Sequence, residues 1–339
     1  MSDAVLVTGG AGFIGSNTAK ALAAAGWRPV VFDSLAGGSR DVVRWGEFVQ
    51  GDIRDEEALR AAMTAHKVTS VIHLAALTEV GLSMQRPDLF WDHNVAGTAS
   101  LLRAMVACGV PRLVFSSSAA VYGRGRDLLD ESLPTAPVSA YGDTKLAGER
   151  LIRDYCSLFG LSATALRYFN AAGAEADGAL GERRERETHL IPLAIEAALG
   201  FGPPLTVFGD DFPTRDGSGL RDYVHVSDLA RAHLAALADP PPAGRFEALN
   251  VGAGAGWTVL EVIAAIDRAL GRPTPYVIGP RRAGDPAALV ADPRRIRDRL
   301  GWRATESDLH HIVETAVRWR REANQPFPAR VWPGALSKP

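Results

Sequence analysis

Apolar and polar positions in the first half of the chain follow two periods in turn. Ala4-Val5-Leu6-Val7 is a short unbroken apolar run, the pattern left by a strand buried on both faces. A glycine-rich turn and an alanine-rich helix from about Ser16 to Ala25 follow, and Pro29 to Phe32 reads as the next strand. The order repeats, with strands at Phe48-Val49, Val68 to Leu74 and Leu113 to Ser116 and helices at Glu56 to Ala65 and Asn94 to Cys108. Such alternation predicts an α/β fold, a doubly wound parallel sheet with helices on both faces.

After Tyr168 the pattern changes. A long polar stretch, Gly173 to Thr188, precedes a helix-like segment from Leu190 to Leu199, and its glycine and charge content excludes further sheet core. Within it, the run Glu182 to Glu187 reads as a solvated loop. Val224 to Ala238 and Leu249 to Gly252 look like returns to the sheet, so a second, smaller α/β domain built from interleaved segments is expected. The predicted division is 1–170 plus 221–252 for the first domain and 171–220 plus 253–339 for the second.

Composition narrows the functional classes. The chain of 339 residues is 47% hydrophobic, enough for a substantial core, and its net charge of -2 offers no basic surface for a nucleic-acid backbone. Cys108 and Cys156 lie inside predicted helices, so neither a disulfide framework nor a thiolate metal site is expected. His310 and His311 are adjacent on a helix and face different ways, and no carboxylate cluster joins the histidines at ligand spacing, so no metal is expected. No apolar run approaches the roughly 20 residues a bilayer requires, and no basic region precedes the first apolar stretch, which points to a cytoplasmic location. All but four of the 37 basic residues are arginine; the lysines are Lys20, Lys67, Lys145 and Lys338.

Candidate chemistry begins at Thr8-Gly9-Gly10-Ala11-Gly12-Phe13-Ile14-Gly15, between a predicted strand and a predicted helix. Gly9, Gly12 and Gly15 allow a tight turn and let backbone N–H groups at a helix N-terminus approach a pyrophosphate, so the segment reads as a dinucleotide site. Asp33 closes the second strand, where a carboxylate accepts hydrogen bonds from ribose hydroxyls and repels a 2′-phosphate, favouring NAD over NADP. Tyr141-Gly142-Asp143-Thr144-Lys145 sets a phenol and an ammonium on one helix face. A phenol titrates near pH 10, and a neighbouring ammonium together with a nicotinamide cation is expected to favour phenolate. Bringing it to about 7 would take roughly 4 kcal/mol. Ser116-Ser117-Ser118 ends a strand, and a serine there can donate to an oxygen on a reacting substrate.

The spacing Gly-x-x-Gly-x-x-Gly, with the serine, tyrosine and lysine, resembles the extended branch of the short-chain dehydrogenase/reductase superfamily. Longer segments are similar to UDP-glucose 4-epimerases: Phe115 to Gly123, Leu166 to Ala174, Glu187 to Pro192, Gly219 to Val226 and Arg281 to Asp285. The resemblance implies a Rossmann domain with a smaller substrate-binding domain, and a catalytic set of Ser118, Tyr141 and Lys145. It implies cofactor contacts from Phe13, Ile14, Asp33, Ser34, Asp52, Ile53, Leu74, Ala75, Ala76, Thr78, Asn94, Ser116 and Phe169 besides Tyr141 and Lys145. A UDP-sugar would be held by Asn170, His189, Leu190, Val207, Phe208, Arg221, Tyr223, Arg282, Asp285 and Leu289, with Ser118 and Tyr141 at the reacting carbon. Both arginines suit a diphosphate through forked donors.

The implied activity is NAD-dependent inversion at C4 of a UDP-hexose through a transient 4-keto sugar, in a homodimer paired through helices of the first domain. Thr78 and Ser34 are shorter than the lysine and asparagine of some relatives, which implies looser NAD retention. Leu289, intermediate in size, leaves acceptance of an N-acetyl group at C2 open. Epimerases of UDP-uronic acids or UDP-pentoses remain alternatives. A 4,6-dehydratase is disfavoured because Ala119 and Ala120 stand where those enzymes carry Asp-Glu. A non-catalytic NAD sensor would have no need of the Ser118, Tyr141 and Lys145 set.

Overall fold

The structure, a computed structural model, describes residues 3–123, 128–184, 187–282 and 285–322. Along the first half run β1 (Ala4–Thr8), α1 (Phe13–Ala24), β2 (Arg28–Asp33), β3 (Glu47–Gln50), α2 (Glu56–Ala65) and β4 (Val68–His73). Two short helical turns, α3 (Val80–Ser83) and α4 (Pro87–Phe90), lead through a π-helical turn, Trp91–Ala96, into α5 (Gly97–Cys108), β5 (Arg112–Ser118), α6 (Ala140–Phe159) and β6 (Ser162–Tyr168). Then come β7 (Asn170–Ala172), α7 (Leu190–Leu199), β8 (Leu205–Phe208), β9 (Leu220–His225), α8 (Val226–Ala238), β10 (Phe246–Val251) and β11 (Gly256–Thr258). The described chain ends with α9 (Val259–Leu270), β12 (Tyr276–Gly279), β13 (Ala288–Leu289), α10 (Arg294–Leu300) and α11 (Leu309–Glu322).

Seven strands form one sheet in the order β10-β6-β5-β4-β1-β2-β3, and every pairing in it is parallel. β1 is buried at all five positions, as its unbroken apolar run requires. The fold is therefore the expected doubly wound, Rossmann-type α/β arrangement. One apolar core, with Leu6, Phe32, Leu101 and Leu113, lies on one face of the sheet, and a second, with Val5, Ile72, Leu229 and Trp302, lies on the other. Among the described residues, no helix is long and apolar enough to cross a membrane.

A smaller unit has its own sheet, in which β9 pairs with β11, β13 and β7, and its own core among α7, α9 and α11. Leu249 to Gly252 does return to the main sheet, as β10 beside β6. Val224 to Ala238 does not: β9 belongs to the small sheet, and the rest is α8, which packs on the main sheet with Val224, Leu229 and Ala232 buried. Its apolar spacing is helical, and a short apolar run alone cannot separate a buried helix from a strand. The boundary drawn at residue 221 thus falls inside β9.

Charge is also built into the core. Glu149 on α6 is fully buried and is gripped by Arg167 on β6 through two N–H donors, at 2.8 and 2.6 Å. Ser117 on β5 donates to the same carboxylate at 2.5 Å, and Arg167 also donates to the Tyr122 hydroxyl, which in turn donates to Asn250 on β10. This network locks α6 onto three adjacent strands. Removing one partner of such a pair strands the other charge in a water-free setting. Arg167→Met is expected to cost about 3–5 kcal/mol in urea unfolding, with much of it recovered in the Arg167→Met/Glu149→Met double variant. A single-variant loss under about 1 kcal/mol would show the pair to be dispensable.

Candidate active site

Strand order reverses between β1 and β4, and parallel sheets place ligands in the crevice outside the carboxyl ends at such a point. The segments leaving β1 and β4 touch there: a Cβ added to Gly9 would lie 2.6 Å from the Ala75 backbone nitrogen, and Gly9 itself has a φ of +71°. Only glycine tolerates both constraints. Gly15 has a second reason, because its Cβ would sit 2.2 Å from the Gly9 carbonyl oxygen. Gly12 begins α1 with no side-chain cap, and Phe13 and Ile14 occupy the first turn, so the positive end of the helix faces the crevice. Asp33 accepts from the N–H groups of Ala11 and Leu35 at 2.9 and 2.8 Å, and burial raises its carboxyl above the ordinary value despite those bonds. Ser34 is exposed and accepts from Ala36 in a local turn.

Other expected cofactor residues are committed to protein partners. Asp52 pairs with Arg54 at 2.6 Å, which lowers its carboxyl, while Ile53 is buried against Gly97. Asn94 is nearly inaccessible. It accepts from Leu77 at 2.8 Å and donates to the Leu77 carbonyl and to Thr144, so it fastens the Leu74, Ala75, Ala76 and Thr78 segment to α6. His73, which sequence reasoning missed, bridges Thr8 and Thr98 at 2.7 and 3.0 Å. Complete burial and the Lys145 charge press it down to about 3, so it is neutral there.

The serine, tyrosine and lysine do converge at the ends of β5 and α6. Ser139 caps α6 by accepting from Gly142, which fixes where the helix starts and so where Tyr141 stands. Tyr141 and Lys145 are both buried, and Ser118 at the end of β5 is a hydrogen-bonding neighbour that favours ionisation of the Tyr141 phenol. Lys145 donates to the Ser116 carbonyl at 2.9 Å, and its ammonium lies 5.9 Å from the centre of the Tyr141 ring. Burial lowers it to about 8, partly opposed by the Glu149 charge. The Ser116 side chain is bonded to His233 at 2.9 Å.

The expected phenol acidity drew on a nicotinamide cation as well as the lysine, and the protein groups by themselves do not give it. Burial raises Tyr141 above its ordinary value, the Ser118 bond and the Arg184 charge oppose that, and the Lys145 ammonium is spent on a backbone carbonyl. Nor is Glu182 to Glu187 a solvated loop. Glu182 is buried, with Arg184 at 2.9 Å and His189 Nδ1 at 2.7 Å, and the Trp319 indole N–H donates to its backbone carbonyl at 3.1 Å. Residues 185 and 186 of that run lie outside the described residues. Donor atoms of Glu182, Glu187 and His189 gather within 4.8 Å, a carboxylate–histidine cluster that the sequence did not reveal.

Residues expected at a UDP-sugar fall into a second group. Asp285 joins Arg221, to which it is hydrogen-bonded, and Arg282, at 3.0 Å, while the Arg282 guanidinium stacks 4.9 Å above the Phe208 ring. Leu289 pairs in register with Arg221 and packs with Phe169 around Tyr122 and Leu146. Asn170, opposite Tyr223 in the small sheet, donates to the Asp222 carbonyl at 2.9 Å. Tyr223 and Val207 are buried in the smaller core, where burial pushes the Tyr223 phenol up to about 12. Leu190 opens α7 directly after His189.

A Rossmann sheet with a glycine crevice and a serine–tyrosine–lysine set defines a class of nucleotide-dependent enzymes, and the chain belongs to the NAD dependent epimerase/dehydratase family, which it matches over residues 5–252. It is 46% identical over 322 residues to a UDP-glucose 4-epimerase of Rhizobium meliloti (strain 1021), covering 95% of this chain and 98% of that one. A UDP-glucose 4-epimerase from Brucella ovis solved with NAD is 46% identical with a TM-score of 0.90, covering 94% and 98% of the two chains. One from Bifidobacterium longum, solved with NAD+ and UDP, is 36% identical with the same score, covering 95% and 99%.

NAD is the cofactor, and the crevice fits it: an uncapped helix N-terminus and a glycine approach suit a pyrophosphate, and a carboxylate stands where the adenosine ribose would lie. Gly15→Ala is expected to lower NAD affinity at least about tenfold in a fluorescence titration, because the added methyl displaces the Gly9 turn. Wild-type affinity in that variant would mean that the turn does not carry the phosphates.

Proposed function

We propose that this chain interconverts UDP-glucose and UDP-galactose. It is an NAD-dependent UDP-hexose 4-epimerase, and the observation that carries the reading is the convergence of buried Tyr141 and Lys145 on the carboxyl end of β5, where Lys145 donates to the Ser116 carbonyl at 2.9 Å and its ammonium lies 5.9 Å from the Tyr141 ring. When bound, NAD would supply a hydride acceptor and donor for C4 and, in its oxidised form, a positive ring charge in the crevice.

Tyr141 takes the proton from the sugar O4 and later gives it back, while the Ser118 hydroxyl holds that oxygen in place. Lys145, anchored on Ser116, keeps its ammonium beside the phenol ring and orients the cofactor ribose. Arg221 and Arg282 grip the diphosphate, exchanging their hold on Asp285 for phosphate oxygens. The hexose itself is gripped loosely, so C4 can present either face to the same phenol. Phe13, Ile14, Asp33 and the Leu74 to Thr78 segment line the cofactor, and Phe208, Leu289, Asn170 and His189 line the UDP-sugar.

Two units share this work, 1–170 plus 221–252 on the cofactor and the remainder on the UDP-sugar, with β9 as their joint. A homodimer paired through α5 and α6 is part of the proposal, supported by exposed Val106, Leu158 and Phe159 on those helices. A cytoplasmic location completes it.

Purified protein incubated with UDP-glucose, UDP-N-acetylglucosamine and UDP-glucuronate, with products separated by chromatography, is expected to equilibrate UDP-glucose with UDP-galactose. Equilibration of another pair in its place would reassign the substrate. Tyr141→Phe is expected to lower kcat at least about a hundredfold with an unchanged unfolding midpoint. Near-full activity there would remove the phenol from the mechanism.

A further inference from the structure

Three consecutive serines end β5, and the proposed reaction uses only the last of them, Ser118. Successive strand residues face opposite sides of a sheet, so the side chains of Ser116 and Ser117 point in opposite directions. The Ser117 hydroxyl donates to Glu149 on α6 at 2.5 Å, and the Ser116 hydroxyl lies 2.9 Å from His233 Nε2 on α8. Those helices cover opposite faces: Ile152 and Cys156 of α6 belong to one core, Leu229 and Ala232 of α8 to the other. The end of β5 is thus held from both sides at adjacent residues. β4 pairs with β5 only as far as Phe115, so beyond that point the strand has a ladder neighbour, β6, on one side alone.

Proton positions in the Ser116–His233 contact follow from its partners. His233 Nδ1 lies 2.8 Å from the Leu229 carbonyl oxygen, which can only accept, so Nδ1 carries a proton. Complete burial lowers the imidazole to about 4, which keeps it neutral and leaves Nε2 as an acceptor. Ser116 must therefore donate to Nε2. Both side chains are fully inaccessible, so water does not compete for either partner. On the other side of the same residue, the Ser116 carbonyl receives the Lys145 ammonium at 2.9 Å.

We propose that His233 is a positioning residue for the epimerase reaction, a neutral imidazole on the far face of the sheet that holds Ser116 so that its carbonyl fixes the Lys145 ammonium beside the Tyr141 phenol. This rests on the reading of Tyr141 and Lys145 as the reacting pair. The action passes through two hydrogen bonds on one residue, hydroxyl to imidazole and ammonium to carbonyl. An ammonium is a compact charge on a flexible stem, so the acceptor that it meets decides where it sits. Displacing a catalytic group by about 1 Å can cost about a hundredfold in rate, so a loosened Ser116 is visible in turnover.

The experiment uses the NAD-loaded enzyme as wild type, His233→Asn, His233→Gln, Ser116→Ala, the double variant Ser116→Ala/His233→Asn, and Lys145→Met. For each, kcat and KM for UDP-galactose are taken per mole of bound NAD, and the unfolding midpoint is recorded alongside. Asparagine is long enough to reach Leu229 but not Ser116, whereas glutamine can set an amide oxygen where Nε2 stands. His233→Asn and Ser116→Ala are each expected to lower kcat about tenfold with KM within about twofold of wild type. The double variant is expected to fall no further than either single one, because both remove the same contact. His233→Gln is expected to recover most of the lost turnover, and nitrogen NMR to find the His233 proton on Nδ1.

Wild-type kcat in Ser116→Ala overturns the proposal even if no His233 variant folds. Equal losses in His233→Gln and His233→Asn overturn it too, as does a lowered unfolding midpoint with unchanged kcat per bound NAD, or a His233 proton found on Nε2 alone. Wild-type kcat in Lys145→Met fails the reading of the reacting pair instead, and that outcome is read independently of any His233 variant.

Discussion

A parallel sheet buried on both faces leaves its chemistry nowhere to go but the edge where all strands end. Every βα connection here opens on that edge, and reversal of strand order between β1 and β4 parts two of those connections into a crevice. Gly9 and Ala75 nearly touch across its floor, and Asn94 holds the β4 side to α6. The rest of the site follows from this constraint. Helix α6 must lie along β5 and β6, so a phenol in its first turn comes to stand at the mouth of the crevice.

Holding that helix in register takes buried polarity. Glu149 lies one turn beyond Lys145, and its grip on Arg167 and Ser117 fixes the rotation of α6 about its own axis. The same face thereby presents Lys145 to Ser116 and Tyr141 to Ser118. Apolar contact alone would tolerate a small turn of the helix. A bidentate ion pair in a dry setting does not, because a broken pair leaves two uncompensated charges. Burial then makes both the phenol and the ammonium harder to charge, so the groups that set the phenol's acidity must come from elsewhere.

Much of this could be read from the chain. Strand and helix periods in the first half are local signals, and the glycines, Asp33, and the Tyr141–Lys145 spacing act over a few residues, so sequence order and spatial order coincide. The misreadings share one cause, which is that the partner is distant in sequence. Val224 to Ala238 is apolar enough for sheet or helix, and only the pairing of β9 with β7, β11 and β13 decides. Glu182 looked solvated because Trp319, more than a hundred residues away, covers it. The phenol's acidity was credited to the lysine beside it in sequence together with the nicotinamide cation, but Lys145 donates to the Ser116 carbonyl and burial raises the phenol.

What unites the site is the claim that chemistry at C4 stays sealed: a proton moves between Tyr141 and the sugar oxygen, and the hydride never reaches water. UDP-galactose carrying deuterium at C4, turned over to equilibrium by the NAD-loaded enzyme in ordinary water, tests this most directly by NMR of both epimers. The account predicts that the deuterium remains at C4 in each of them. Replacement of that deuterium by solvent hydrogen would contradict it.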